Sequence, residues 1–369
     1  MKKLLFILFL MWSTSFLSAQ VGLGYYYDYN DHFYVFDKGQ NIQLESTHVD
    51  SIKVGDDYIA YIDSKANLRV YHNGETQTIE EAIPNVMIAS PHAFVYKMQQ
   101  RLMVYQNGEK KQLASWVNRF FAGDAIITWQ VLPGLDIMAY ENGQIRTIES
   151  AVSAKAINGG RTGKNIFAYN DLNNSFKVYY NGQTYDAQTT NIRNYKCGKD
   201  VVAYIDRFNS VFGAFSRGEF KTISTHIPNN YSVTDDVVTY IDESGNFMVY
   251  YNGESTQIES YEPTVYQAKE NVIVYYYKPE LKAVFAGQVY TLEKFIDQQK
   301  ITLGVNSALY LDNNNRAKYF YAGKTFENFL IDQPKSMELN RDLPVIRYGN
   351  NMIGFFYDGK LYEYETGVY

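Results

Sequence analysis

Apolar runs of about five residues alternate with short polar stretches along the whole chain, and the alternation itself repeats. One full unit can be read in residues 231–259. Tyr231-Ser-Val and Val237-Val-Thr-Tyr-Ile are followed by Asp242-Glu-Ser-Gly-Asn, then by Phe247-Met-Val-Tyr-Tyr, then by Asn252-Gly253 and a last stretch to Ile258. Runs this short, rich in Val, Ile and Tyr and bounded by turn residues, read as β-strands and not as helices. The Asn-Gly pairs at 73–74, 107–108, 142–143, 181–182 and 252–253 suit tight hairpins, because both residues tolerate positive φ. Five positions after the glycine an aliphatic returns (Leu44, Ile79, Leu113, Ile148, Ile223, Ile258, Leu292), which puts one inward side chain on the strand that follows.

The repeat is counted best on its glycines: Gly39, Gly74, Gly108, Gly143, Gly182, Gly218, Gly253, Gly287, Gly323 and Gly367. Three positions earlier stand Phe36, Tyr71, Tyr105, Tyr140, Tyr179, Phe215, Tyr250, Val284, Phe320 and Tyr364, nine of ten aromatic, a register that predicts packing between units. Gly55-Asp56, Gly123-Asp124, Gly198-Lys199, Asp235-Asp236 and Gly349-Asn350 mark a second hairpin per unit, so four strands and four turns fill about 35 residues with no room for a helix. A four-stranded antiparallel meander repeated in series is the blade of a β-propeller. Over residues 20–369 the chain resembles β-propeller repeat proteins in general, without Trp-Asp or kelch-type signatures. The expected fold is all-β, a propeller of about ten short four-stranded antiparallel blades.

Two other arrangements stay open at this level. The intervals between glycines run from 34 to 39 until a final 44, and the two expansions, at 151–164 and 331–343, fall five repeats apart. That spacing allows two five-bladed propellers with a subdivision near 151–164. The repeat also starts on its second strand type at Tyr25-Tyr-Tyr and ends on its third at 362–364, two strands short at a seam, which allows an open β array.

Residues 1–19 are expected to be a secretory signal peptide: Lys2 and Lys3, an apolar stretch from Leu4 to Phe16, and Ser18-Ala19 before Gln20. No later stretch is apolar for the roughly 18 residues a membrane-spanning helix needs. Loss of the two leader lysines takes the formal net charge from −6 to −8, a balance that disfavours nucleic acid and anionic lipid surfaces as partners. Cys197 is the sole cysteine, so no disulfide within the chain is possible, and stability must come from buried core.

Candidate chemistry is sparse. An aspartate follows by two the aromatic closing the second strand, at Asp28, Asp63, Asp171, Asp206, Asp242, Asp312 and Asp358. It opens a hairpin loop by bonding its own backbone, and the loops lack the alternating acidic spacing that a Ca²⁺ site needs. Five histidines share no metal-ligand spacing, there is no Gly-x-Ser-x-Gly elbow, and Gly159-Gly-Arg-Thr-Gly-Lys164-Asn165 is one residue short of a phosphate loop. Glu80-Glu81 and Asp235-Asp236 read as solvated turn carboxylates. The expectation is therefore no catalytic residue, no metal and no cofactor. Outward tyrosines Tyr180, Tyr251 and Tyr276, with Arg161, Lys164, Asp332 and Lys335 at the two expansions, are the expected interaction surface, because function should lie where the repeats differ.

Two functional classes follow. The first is a non-catalytic protein-interaction scaffold; the second is a multivalent, lectin-like binder of glycans or small ligands. Equivalent loops read Ser-Lys-Ala-Asn, Leu-Asn-Asn, Arg-Phe-Asn-Ser and Asn-Asn-Asn, and a repeated ligand would require repeated contacts, so the divergence favours the scaffold. The Tyr-, Asn- and Lys-rich composition, with glutamine at the expected mature start, looks like exported proteins of Bacteroidota-type bacteria. Cargo of their type IX secretion route carries a separate C-terminal sorting domain, whereas here the repeat runs to Gly367. The expectation is retention in the periplasm or on the periplasmic face of the outer membrane, as an accessory or plug component of an outer-membrane translocon, with an extracellular location as the alternative.

Overall fold

The computed structural model describes residues 20–150, 161–294 and 301–367, and these form thirty-nine strands and no helix. The expected leader and residues 151–160 of the first expansion lie outside the described residues. The strands make ten antiparallel sheets, each a meander in chain order. The first contains β1 (Leu23–Tyr27), β2 (Phe33–Asp37) and β3 (Gln40–Glu45); the second contains β4 (Asp50–Val54), β5 (Tyr58–Ile62), β6 (Leu68–His72) and β7 (Glu75–Glu80). Eight more four-stranded blades follow, the tenth spanning 334–365.

The hairpins form where positive φ is tolerated. Asn73 and Gly74, between β6 and β7, have φ of 51° and 86°, the pair of left-handed residues that matches the twist of the flanking strands. The aromatic three positions earlier then points between blades. Tyr71 packs with Leu23, Val35 and Ile59, and its hydroxyl donates to Asp37 Oδ2 of the preceding blade at 2.8 Å. The whole core has this form: each of ten apolar clusters joins one blade to the next. The second strands sit in the middle of these sandwiches and are apolar on both faces, so β5 is buried at all five positions.

The tenth blade closes on the first. Phe36 stacks on Phe355 with ring centroids 4.6 Å apart and planes 1° from parallel, in a cluster that includes Tyr26, Leu343 and Val345. Gln20 Nε2 donates to the Phe356 carbonyl at 2.8 Å, and the Tyr29 amide donates to the Thr366 carbonyl at 2.6 Å. A single closed ring of ten blades replaces both the pair of five-bladed propellers and the open array.

The tenth repeat turns at an earlier glycine than its local phrase predicts. Its hairpin glycine is Gly359 and not Gly367, so the interval from Gly323 is an ordinary 36 and no expansion exists at 331–343. Asp358 therefore lies in the hairpin before the outer strand, with φ of 48°, and is not a loop aspartate after the second strand. Gly349-Asn350 likewise sits between second and third strands, and 362–364 belongs to the fourth. Tyr364-Glu-Thr-Gly367 imitates the repeat phrase eight residues late. Among the described residues the first blade lacks only one strand, the innermost, and not two.

Candidate functional site

In the four-stranded blades the first strand lies nearest the ring axis, where the turns that leave it converge. A cavity of about 280 Å³ is lined by turn residues from seven blades, among them Pro91, Asp124, Lys164, Gly198, Asp235, Glu270 and Arg341. Backbone hydrogen bonds tie these turns into a belt independent of the sheets. Asp56 N donates to Pro91 O at 2.7 Å, Lys164 N to Gly198 O at 3.1 Å, Lys199 N to Asp235 O at 2.6 Å, Asp235 N to Glu270 O at 2.7 Å, and Asn271 N to Val305 O at 2.9 Å. Glycine is required here for closeness and not for φ: a Cβ on Gly163 would stand 1.7 Å from the Gly198 carbonyl oxygen, and one on Gly198 would stand 1.9 Å from that of Thr234.

Lys164 is the centre of this belt and not a surface contact as expected. Its ammonium lies 2.5 Å from Asp235 Oδ2, 2.5 Å from Glu270 Oε2 and 3.7 Å from Asp124 Oδ2, and its side chain is 14% exposed. Burial alone would lower the lysine's pKa; the Asp235 and Glu270 charges outweigh it and hold the ammonium above its usual range. Burial likewise drives the Asp124 and Asp235 carboxyls up to about 6 against the partial relief from Lys164. Asp235 is thus no solvated turn carboxylate. Over the first blade, Arg341 pairs with Asp56, linking the tenth blade to the second. Among the described residues no three His, Cys, Asp or Glu side chains are placed to hold a metal ion. The carboxylates at the axis converge on the chain's own ammonium, so the cluster can bind turn to turn and can take up protons near pH 6.

The rest of the expected surface is dispersed. Tyr180 packs edge-on against Phe215 at 5.9 Å, Tyr251 covers Gly287, and Tyr276 packs in the cluster between the eighth and ninth blades, so all three serve seams. Arg161 opens the inner strand of the fifth blade (Arg161–Thr162). Asp332 and Lys335 are exposed near the start of the tenth blade, remote in the fold from Lys164. The loop aspartates accept backbone hydrogen bonds: Asp63 Oδ1 takes Lys65 N and Asn67 N, each at 2.9 Å, and Asp242 Oδ1 takes Ser244 N at 2.9 Å and Asn246 N at 2.8 Å. The same loop is built on Asp28, Asp171, Asp206 and Asp312.

Two features of the ring lie outside the pattern of strands and hairpin glycines. Glu45, Glu80, Glu149, Glu259 and Glu293 stand six residues after the hairpin glycine, and Arg69, Lys177, Lys282 and Lys318 stand five before the next one. They meet across seams: Glu259 accepts from Lys282 Nζ and from the Tyr275 hydroxyl, both at 2.8 Å, and Glu149 accepts from Lys177 and Tyr169, both at 3.0 Å. Glu80 belongs to this set through the Tyr96 hydroxyl at 2.8 Å, so it is not merely a solvated turn residue. The fixed offsets from glycine were visible in the sequence.

The second feature is the sidedness of the ring. In a meander, the loops between second and third strands and the connections between blades emerge on one face, and the Asn-Gly hairpins on the other. Exposed large apolar residues gather on the first face. Tyr29, Leu132, Leu172 and Phe208 lie in the loops, and Ile83, Trp116, Tyr261 and Ile331 in the connections, with Phe208 94% and Ile331 98% exposed. Of the twelve described, Val86 and Val265 open inner strands at the same face, while Ile145 and Val289, each two residues past its hairpin glycine, lie at the opposite one.

The family profile described as "10-bladed beta propeller domain" matches residues 17–364. None of the curated proteins compared with the chain matches it. Among solved structures it is similar to the computationally designed Ika8 protein (14% identity, 76% of this chain and 97% of that one, TM-score 0.32) and to Hsv2p of Kluyveromyces lactis (10%, 74% and 92%, TM-score 0.33). It is also similar to PorZ, a bacterial surface component of the type-IX secretion system of Porphyromonas gingivalis (10% identity, TM-score 0.30). That match covers 84% of this chain, which spans about half the length of the PorZ chain.

Proposed function

Because the chain belongs to the 10-bladed beta propeller domain family, a rigid ring with two unlike faces, we propose that it is a non-catalytic protein-interaction scaffold. The observation that carries this reading is the circlet of exposed apolar side chains on the face of the inter-blade connections, from Tyr29 through Phe208 to Ile331. A single exposed leucine is ordinary, but ten of the twelve such residues on one face mark a surface that is covered in use. The divergence of the loops supports one extended protein partner over ten copies of a small ligand. With the export expected from residues 1–19, the scaffold works in the periplasm, as an accessory or plug component on an outer-membrane translocon.

The test is purification from the native host followed by mass spectrometry, with the chain carrying Phe208→Asp and Ile331→Asp compared with the unaltered one. Both residues are solvent-exposed, so the variant should melt as the parent does while a stoichiometric outer-membrane partner is lost. A partner-free monomer that binds glycans would defeat the proposal, as would recovery of the protein chiefly from the medium.

A further inference from the structure

The tyrosine three positions before a hairpin glycine reaches back across its seam. The residue two before the preceding blade's glycine accepts from its hydroxyl. Tyr71 donates to Asp37 Oδ2 at 2.8 Å, Tyr179 to Glu141 Oε2 at 3.1 Å and Tyr140 to Gln106 Oε1 at 3.5 Å. Between the sixth and seventh blades the tyrosine is Tyr250, and the facing position, two before Gly218, is Ser216. Serine is too short to cross the seam. Tyr250 packs there with Phe212, Ala214 and Tyr240 and is 3% exposed. Its hydroxyl is buried and has no hydrogen-bond partner among the described residues, a costly state for a polar group.

Where the longer side chain is missing there is a cavity of about 230 Å³. That is room for on the order of eight water-sized groups. Ser216 and Tyr250 wall it together with Arg217, Glu219, Lys221 and Asn252. It lies between the hairpins of two neighbouring blades, on the face opposite the apolar circlet. Arg217 Nη2 donates to Asn252 Oδ1 across the seam at 2.8 Å, and the Lys221 ammonium lies 3.4 Å from Glu219 Oε2. Two cations, Arg217 and Lys221, against one carboxylate, Glu219, leave a single positive charge around the cavity. Burial, and after it the Glu219 charge, raises the pKa of Tyr250, so its hydroxyl stays a neutral donor in want of an acceptor.

We propose that this cavity binds a carboxylate, which takes the place that Asp37 and Glu141 hold in their own seams. It accepts from the Tyr250 hydroxyl, and Arg217 and Lys221 balance its charge. The chain itself supplies the precedent, since a carboxylate faces the equivalent tyrosine in two other seams. A hydrogen bond from a buried donor to a charged acceptor is among the stronger ones, and the surplus positive charge favours a monoanion over a neutral or cationic guest. The volume limits the guest to a small organic acid or to the C-terminal carboxylate of a peptide. The proposal does not rest on the scaffold reading, because the cavity and the apolar circlet lie on opposite faces.

The test is ligand-observed NMR on the whole chain, with N-acetylglycine, its neutral amide and butanoate as probes. N-acetylglycine should bind, and the amide should bind about tenfold more weakly or not at all. Butanoate binding as well as N-acetylglycine assigns the site to a free acid; a preference of about threefold or more for N-acetylglycine assigns it to a peptide terminus. Tyr250→Phe should weaken N-acetylglycine about tenfold, yet melt no lower than the parent, because the hydroxyl it removes is unpaired. Tyr71→Phe, which strands the acceptor Asp37, should melt lower. Ser216→Gln supplies the acceptor that Gln106 provides elsewhere, so it should raise the melting temperature and abolish acid binding. Equal binding of acid and amide, or no binding of either acid, overturns the proposal. So does a Tyr250→Phe variant that melts well below the parent, because the hydroxyl then already has a partner within the chain. Changing Phe208 and Ile331 should leave acid binding intact, so the acid site and the scaffold stand or fall separately.

Discussion

Lys164 and Asp235 are 71 residues apart in sequence and two blades apart in the ring, yet their charged atoms stand 2.5 Å from each other. Ring closure alone brings them together, and with them Glu270 and Asp124. Replacing Lys164 by methionine keeps the apolar stem and leaves three carboxylates crowded at the axis. The expected loss is about 3–5 kcal/mol at neutral pH, as for other buried charges stripped of a partner, and less at pH 5. Urea unfolding at the two pH values measures it; an equal loss at both would mean the lysine acts by packing and not by charge.

The same cluster sets the pH dependence. Burial raises the Asp124 and Asp235 carboxyls to about 6 from an ordinary 3.8. The folded state therefore binds these protons more tightly, and the stability this contributes is full below 3.8 and lost as pH rises through about 6. Asp63, Asp171, Asp206 and Asp242 run the other way. Burial opposes their charge, but hydrogen bonds to the carboxylates outweigh it and lower each pKa, so their contribution is lost on further acidification. Thermal melts should show the midpoint rising as pH falls from about 7.5 to about 4.5 and dropping below about 3.5. Asp124→Asn with Asp235→Asn should flatten the upper limb, and a midpoint that instead climbs from 4.5 to 7.5 would contradict the assignment.

Asp242→Ala removes the acceptor for two loop amides, from Ser244 and Asn246, and should cost about 1 kcal/mol. Added Ca²⁺ should not move the melting temperature of either form. A rise in the parent that vanishes in the variant would convert the loop aspartate into a ligand.

The seam clamp of Glu259, Tyr275 and Lys282 should behave as a unit. In a double-mutant cycle, Glu259→Gln and Lys282→Met should couple by about 1 kcal/mol, because either change leaves the other partner with a diminished role. Strict additivity would show that the two act independently.

Gly198→Ala tests the axial belt. A Cβ there meets the Thr234 carbonyl oxygen at 1.9 Å, and backbone cannot yield as a side chain does. A loss of about 3 kcal/mol or more is expected, against under 1 kcal/mol for Gly74→Asn, whose site is open and tolerates a left-handed residue. Comparable losses at both positions would point to φ and not to crowding.

The blade was legible because its signals are local: strand length, hairpin glycine and inward aromatic all lie within one 35-residue unit. The error in the tenth blade has the same origin, since Tyr364-Glu-Thr-Gly367 carries the local phrase while the spacing, 36 to Gly359, carries the true register. The seam clamps were half legible, as glutamate and lysine keep fixed distances from the glycine but only stacking reveals that they touch. The axial cluster was not legible. Lys164, Asp235 and Glu270 hold the same place in three inner turns, two residues before the second strand, but the residue type changes from turn to turn, and only the closed ring brings turns from different blades into contact. The apolar circlet was hidden for a similar reason: each member is a lone exposed residue in its own loop, and the pattern exists only once the faces are known.

A ring whose two surfaces differ this much has a heads and a tails. Ten near-equivalent blades would by themselves let a partner sit in any of ten rotations, but the loops that carry Tyr29, Leu132, Phe208 and Ile331 are all different, so the rotational choice is removed as well. A partner seated on that face would therefore meet the ring in one attitude and one rotation.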